Sequence, residues 1–206
     1  MKIVEYGLFY WTVVGVLALL AASPFLSRVL IYPRTEFFTE LWILDADHKA
    51  ENYPSNITRG QNYTIYLSIG NHLGYCAYYM VQVKFLNWSQ LELMPTRFGP
   101  IEKRLPSSLP SLFNFTAFVA DEQVYETPVT FSFNYTWDQP PSKVELSSLM
   151  FNGMWLNMSD YTISWNTEKQ GFRGFLFFEL WLYNNSAGSF QYHGRFVGLW
   201  FNMTVQ

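Results

Sequence analysis

Cysteine is almost missing from this chain. Its 206 residues include one, Cys76, so an intramolecular disulfide is excluded and the fold must rest on its apolar core. Histidine is nearly as scarce: His48, His72 and His193 stand at no spacing that puts two ligands on one element, which argues against zinc. Charged residues make up only 14% and the net charge is −3, too little positive charge for a nucleic-acid-binding face. Catalytic patterns are missing too. No Gly-x-Ser-x-Gly elbow occurs, Cys76 has no adjacent base, and nothing resembles a cofactor loop. The segment Asp45-Ala46-Asp47-His48 offers oxygens but lacks the spaced acids and glycine of a calcium loop, and reads as a solvated turn. Asp121, Glu122 and Glu126 read as loop acids, although acids from separate strands could still assemble a glycosidase pair.

Charge is wholly absent from residues 7–26. Twenty helical residues rise about 30 Å, the thickness of a bilayer core. Tyr6, Tyr10 and Trp11 on one side and Tyr32 on the other fit interfacial aromatic belts, and Pro24 is placed to kink or end the helix. A cleaved signal peptide is the alternative, with Ala21-Ala22-Ser23 as its site. Pro24 is awkward there and apolar residues continue to Ile31, so the run is expected to be an uncleaved signal-anchor. Lys2 against Arg28 and Arg34 gives little orientation by charge.

Eight Asn-x-Ser/Thr sequons follow, at Asn56, Asn62, Asn87, Asn114, Asn134, Asn157, Asn184 and Asn202. Shuffled composition would give about two. Their density predicts an extracellular C-terminal domain carrying covalent N-glycans, with the N-terminus in the cytoplasm. The expected organisation is therefore residues 1–34 as cytoplasmic tip and anchor, and residues 35–206 as one ectodomain.

The ectodomain is rich in β-branched and aromatic residues between turn signals, the composition that strands prefer. Strands are predicted over 36–45, 62–70, 75–86, 112–121, 127–135, 174–183 and 195–205. Their number and spacing suggest an all-β fold, an immunoglobulin-like β-sandwich. Residues 90–110 hold four of the ten prolines and should form an extended loop; residues 138–170 should be a longer insertion with short strand or helical pieces.

Strand alternation assigns faces. Asn114 opposes Phe113 and Phe115, and the same phase turns Asn62, Asn134 and Asn202 outward. Asn87 shares the phase of Tyr79, Val81, Val83 and Phe85, so its strand must end or bulge before it. Near the C-terminus, an inward Phe178, Leu180 and Leu182 leaves Phe177, Trp181 and Tyr183 outward, with Trp200 likewise. These four would form an exposed aromatic interface, unless the 138–170 insertion, with Met154, Trp155 and Trp165, covers it.

Phe38-Thr39-Glu40-Leu41-Trp42-Ile43-Leu44, then Ala50-Glu51-Asn52-Tyr53-Pro54, Asn56, Gly60 and Gly70-Asn71-His72, resemble the opening of the DUF1616 family. Tyr125-Glu126-Thr127-Pro128-Val129, Phe131, Phe178-Glu179-Leu180-Trp181-Leu182-Tyr183 and Leu199-Trp200 extend the resemblance. It implies an archaeal, sometimes bacterial, membrane-associated protein with a β-sandwich, and supplies no catalytic residues. Many members resemble a multi-helix membrane region fused to such an ectodomain; a single-pass chain leaves transport and channel roles out of the expectation. Physically, the first blocks read as turn chemistry, with Pro54 fixing an extended turn and Gly60 supplying a positive φ.

The expected function is a non-enzymatic, single-pass surface glycoprotein that contacts other membrane or envelope proteins. Two alternatives stay open: an accessory subunit of a membrane enzyme complex, and a carbohydrate-binding or glycan-processing ectodomain.

Overall fold

The computed structural model describes residues 2–29 and 36–205, which fall into two compact units: a helix, and a β domain from Phe38 onward. The helix, α1 (Lys2–Val29), continues through Pro24. Among the described residues no helix is long and apolar enough to cross a membrane. The expected boundary at residues 34 and 35, together with Tyr32 and Arg34, lies outside the described residues.

All seven expected strands form, with shifted ends. They are β1 (Phe38–Leu44), β3 (Tyr63–His72), β4 (Ala77–Asn87), β5 (Phe113–Val119), β6 (Gln123–Trp137), β10 (Phe172–Asn184) and β11 (Ser189–Met203). Four more are added: the short β2 (Asn56–Ile57), and within the insertion the nine-residue β7 (Lys143–Phe151) and the short β8 (Met154–Asn157) and β9 (Thr162–Ser164). The first sheet runs β1-β3-β6-β7-β8, with β9 also on β7; the second runs β2-β11-β10-β4-β5. Neighbours are antiparallel except β2, which lies parallel to β11.

Period-two alternation explains why the sheets stack. Ile65, Leu67, Val129, Phe131 and Phe133 of the first sheet meet Val81, Val83, Phe85, Leu176, Phe178 and Phe201 of the second in one buried cluster. Phe133 sits at its centre, 5.7 Å from Phe85 and 5.3 Å from Phe201 between ring centroids. Tyr135 fastens one end: its hydroxyl donates among the carbonyls of Ile57, at 3.0 Å, and Thr204, at 2.7 Å, joining β6 to β2 and to the residue that follows β11. Gly60 does adopt a positive φ, 72°, where its N–H bonds to the Phe133 carbonyl.

Candidate functional site

The outer face of the second sheet is divided into a covered half and an open half. Residues 88–112 cross it as a strap containing two short 3₁₀ turns, Trp88–Leu93 and Ile101–Lys103. Beneath it, Met94 and Leu109 pack on Leu86, Phe175 and Phe177, and Trp200 stacks on Phe175 at 4.6 Å. Phe177 is therefore fully buried, and the expectation that it joins an exposed surface is corrected: a second layer lies over it. Trp200 is half-buried in the same cluster. The covering comes from the proline-rich loop. The 138–170 insertion instead widens the first sheet, leaving Met154, Trp155 and Trp165 exposed.

Under the strap lies a buried ion pair. Lys84 on β4 and Glu179 on β10 both point outward by strand phase, yet their side chains are 4% and 0% exposed. Lys84 Nζ lies 2.9 Å from Glu179 Oε2, a charge contact without hydrogen-bond geometry, and donates to the Ser107 carbonyl at 2.8 Å. The Ser107 N–H donates to Glu179 Oε1 at 2.6 Å. One strap residue thus engages both charges through its backbone. Arg104 adds bonds to the carbonyls of Gly99 and Gly194, both at 3.1 Å. Burial, with Glu179 nearby, raises the Tyr192 phenol well above its ordinary pKa.

Beyond the strap the face is open. Register pairs Tyr78 with Phe118 and Tyr183 with Phe190, which brings four aromatics from β4, β5, β10 and β11 together. Tyr78 and Phe118 stack at 4.1 Å with planes 8° apart, and Phe190 lies 5.0 Å from Tyr78 and 5.3 Å from Tyr183. Phe118 is 69% exposed and Tyr75 54%. Trp181, half-buried, packs on Tyr192 at 5.7 Å. Two grooves of about 310 and 320 Å³ flank this cluster and share Tyr75, Tyr183 and Asn185; Gln191 lines the first, Cys76 the second. Of the four expected interface residues, only Trp181 and Tyr183 belong to this end. Tyr75, Tyr78, Phe118 and Phe190, which the sequence alone did not single out, join them, and their meeting depends on strand order.

A chain of buried polar groups holds the groove wall. Asn71 donates through Nδ2 to the carbonyls of Tyr75 and Val119, both at 2.8 Å, and its Oδ1 accepts from Tyr79 at 3.2 Å. Tyr79 is 3.0 Å from Thr39 Oγ1, which is 3.0 Å from His193 Nε2. Since Asn71 Oδ1 can only accept, the tyrosine donates to it, Thr39 donates to the tyrosine, and His193 must donate through an Nε2–H. Burial, then the charge of Arg195, lowers the His193 pKa to about 4. This histidine is neutral when folded but takes up a proton near pH 6.5 when unfolded. Stability is therefore complete above about pH 6.5 and lost as pH falls toward 4, on the order of 3 kcal/mol in all. Urea midpoints measured from pH 7 to 4 should show that decline, and His193→Gln should flatten it; an equal decline in the variant would count against the assignment.

The sequons differ in setting. Asn56, Asn62, Asn114 and Asn157 are exposed; Asn87, Asn134, Asn184 and Asn202 are half-buried. Asn87 ends β4 and donates to the Thr162 carbonyl at 2.8 Å. Asn202, though outward in phase, has a buried Oδ1 with no hydrogen-bond partner. Asn114 and Phe118 share one face of β5, so the open aromatic end is not free of sequons. Elsewhere, Asp45 accepts from the N–H groups of Asp47 and Lys49, a turn cap. Asp121 accepts from Gly74 N–H, Glu122 faces His72, and Glu126 faces His48. Among the described residues no group of three or more such side chains could hold a metal ion.

These features define a two-sheet β domain with an open aromatic end. The chain belongs to the family described as a domain of unknown function, DUF1616, whose model matches residues 33–170. That match covers β1 to β9 and stops before β10 and β11, which carry Trp181, Tyr183 and Trp200. Among curated proteins none matches the chain.

Proposed function

We propose that the chain is a single-pass, non-enzymatic cell-surface glycoprotein, of the archaeal envelope by resemblance, whose domain contacts other envelope proteins through the open aromatic end of its second sheet. The exposed Tyr78–Phe118 stack, continued by Tyr183 and Phe190, carries the reading. Large apolar side chains grouped on a rigid sheet are costly in water unless something covers them. An immunoglobulin-like arrangement is supported by the strand order: β1-β3-β6 in one sheet, β5-β4-β10-β11 in the other, and β2 parallel to β11. The membrane anchor rests on the uncharged run of residues 7–26, and the outside location on the eight sequons.

Purification from native membranes under mild detergent tests the reading. Wild type should retain a partner protein that Phe118→Ala and Tyr183→Ala lose, and peptide mapping should find a glycan on Asn114. A protein that runs alone, or an unmodified Asn114 together with an unmodified Asn62, would overturn it. A membrane enzyme recovered in fixed stoichiometry would instead favour the accessory-subunit role.

A further inference from the structure

Charge separates the grooves of this domain into two kinds. One of about 550 Å³ is lined by Glu40 and Arg195, and one of about 140 Å³ by Arg97, Arg104 and Arg195. The two at the aromatic end contain no formal charge: the first presents Tyr75, Tyr183, Asn184, Asn185 and Gln191, the second Tyr75, Cys76, Tyr78 and Phe118. His193, at the back of the first, is neutral at physiological pH.

Flat aromatic faces beside side-chain amides have a specific use. The apolar C–H face of a pyranose stacks on a ring while its hydroxyls need both donors and acceptors, which Asn and Gln supply together. A charged ligand would find no counter-ion here; Asn184 and Gln191 already share a bond at 3.0 Å, and a purely apolar ligand would cover the exposed Asn185 amide without pairing it. Each groove is at the lower end of the volume of small-ligand sites, the size of one or two sugar rings. Tyr75 forms the wall between them and is held through its backbone by Asn71.

We propose that this paired groove binds a neutral oligosaccharide, the N-glycan of a neighbouring envelope glycoprotein, with Phe118 and Tyr183 as stacking surfaces, Tyr78 backing Phe118, and Asn185 and Gln191 as hydrogen-bonding groups. The inference rests on the reading of this face as the docking surface, and it names what the partner presents.

Cys76 gives a direct readout, because it is the one cysteine, is exposed and lines the second groove. The full chain, held in a detergent without sugar headgroups, is labelled with a maleimide in the presence of maltotriose, mannotriose, chitotriose or trigalacturonate. At least one neutral trisaccharide should slow labelling in a saturable way, and the anionic one should not. Phe118→Ala and Tyr183→Leu should each weaken that protection about threefold to tenfold, the loss of one stacked ring, with unchanged melting temperatures showing that both variants fold. Absence of protection by every neutral sugar, equal protection by trigalacturonate, or unchanged affinity in both variants would overturn the proposal. Enzymatic deglycosylation of the co-purifying partner separates the two readings. Release of the partner supports sugar recognition; retention, with loss in Phe118→Ala, overturns it and leaves protein contact standing.

Discussion

Glu179→Ala is expected to cost about 3–5 kcal/mol, because it strands the Lys84 ammonium beneath the strap without its counter-charge. With Glu179 gone, Lys84 keeps only the Ser107 carbonyl, and the Ser107 N–H loses its acceptor. The defect therefore includes a buried charge and an unsatisfied backbone donor. A domain of this size should lose roughly 10–15 °C in melting temperature. Removing both charges should cost much less: in Lys84→Met with Glu179→Leu, apolar side chains join Leu86 and Phe177, and no ion is left unpaired. Calorimetry on the two single variants and the double variant gives the coupling. A loss below about 1 kcal/mol in Glu179→Ala would mean that water reaches Lys84 and that the strap is not a sealed layer.

Phe133→Ala should have an effect of similar size, about 3–5 kcal/mol, by a different route. Its ring touches both sheets, with Phe131 at 6.1 Å on its own strand and Phe85 and Phe201 across the interface. Deletion leaves a cavity that β6, paired on both sides, cannot close by moving. Phe118→Ala removes the same group from an exposed position and should change stability by about 0.5 kcal/mol or less. Denaturant unfolding of the pair distinguishes a ring that holds the sheets together from one displayed for recognition. Comparable losses in both would place Phe118 in the core and contradict its exposure.

Much of this architecture is legible in the residues. Alternation in Tyr79-Met80-Val81-Gln82-Val83-Lys84-Phe85 marks a strand with one buried face, and the other long strands read alike. The same rule turns Lys84, Phe177 and Glu179 outward, which is correct as to direction and wrong as to exposure. Period two identifies a face; it does not tell whether another layer of chain lies on it. The strap gives little warning, since it is held by the backbone N–H and C=O of Ser107 and by the partly buried Met94 and Leu109 rather than by an apolar repeat. Within the insertion, short strand or helical pieces are expected, but local pattern does not choose between them. β8 and β9, four and three residues long, owe their conformation to pairing with β7 more than to local preference. The aromatic cluster required the order β5-β4-β10-β11, which no local pattern encodes.

The five edge strands have a bearing on solubility. β1, β8 and β9 border the first sheet, and β2 and β5 flank the second. An open edge offers unpaired peptide groups to any other strand, and Phe113-Asn114-Phe115-Thr116-Ala117-Phe118-Val119 in β5 has the composition of a self-associating segment. Three of these edges contain an exposed sequon asparagine: Asn56 in β2, Asn114 in β5 and Asn157 in β8. On the proposed topology each would carry a bulky hydrated chain where an incoming strand would have to lie. The sugars would then act as guards against fibre-like stacking, and protein made in a host that does not glycosylate should precipitate first through β5.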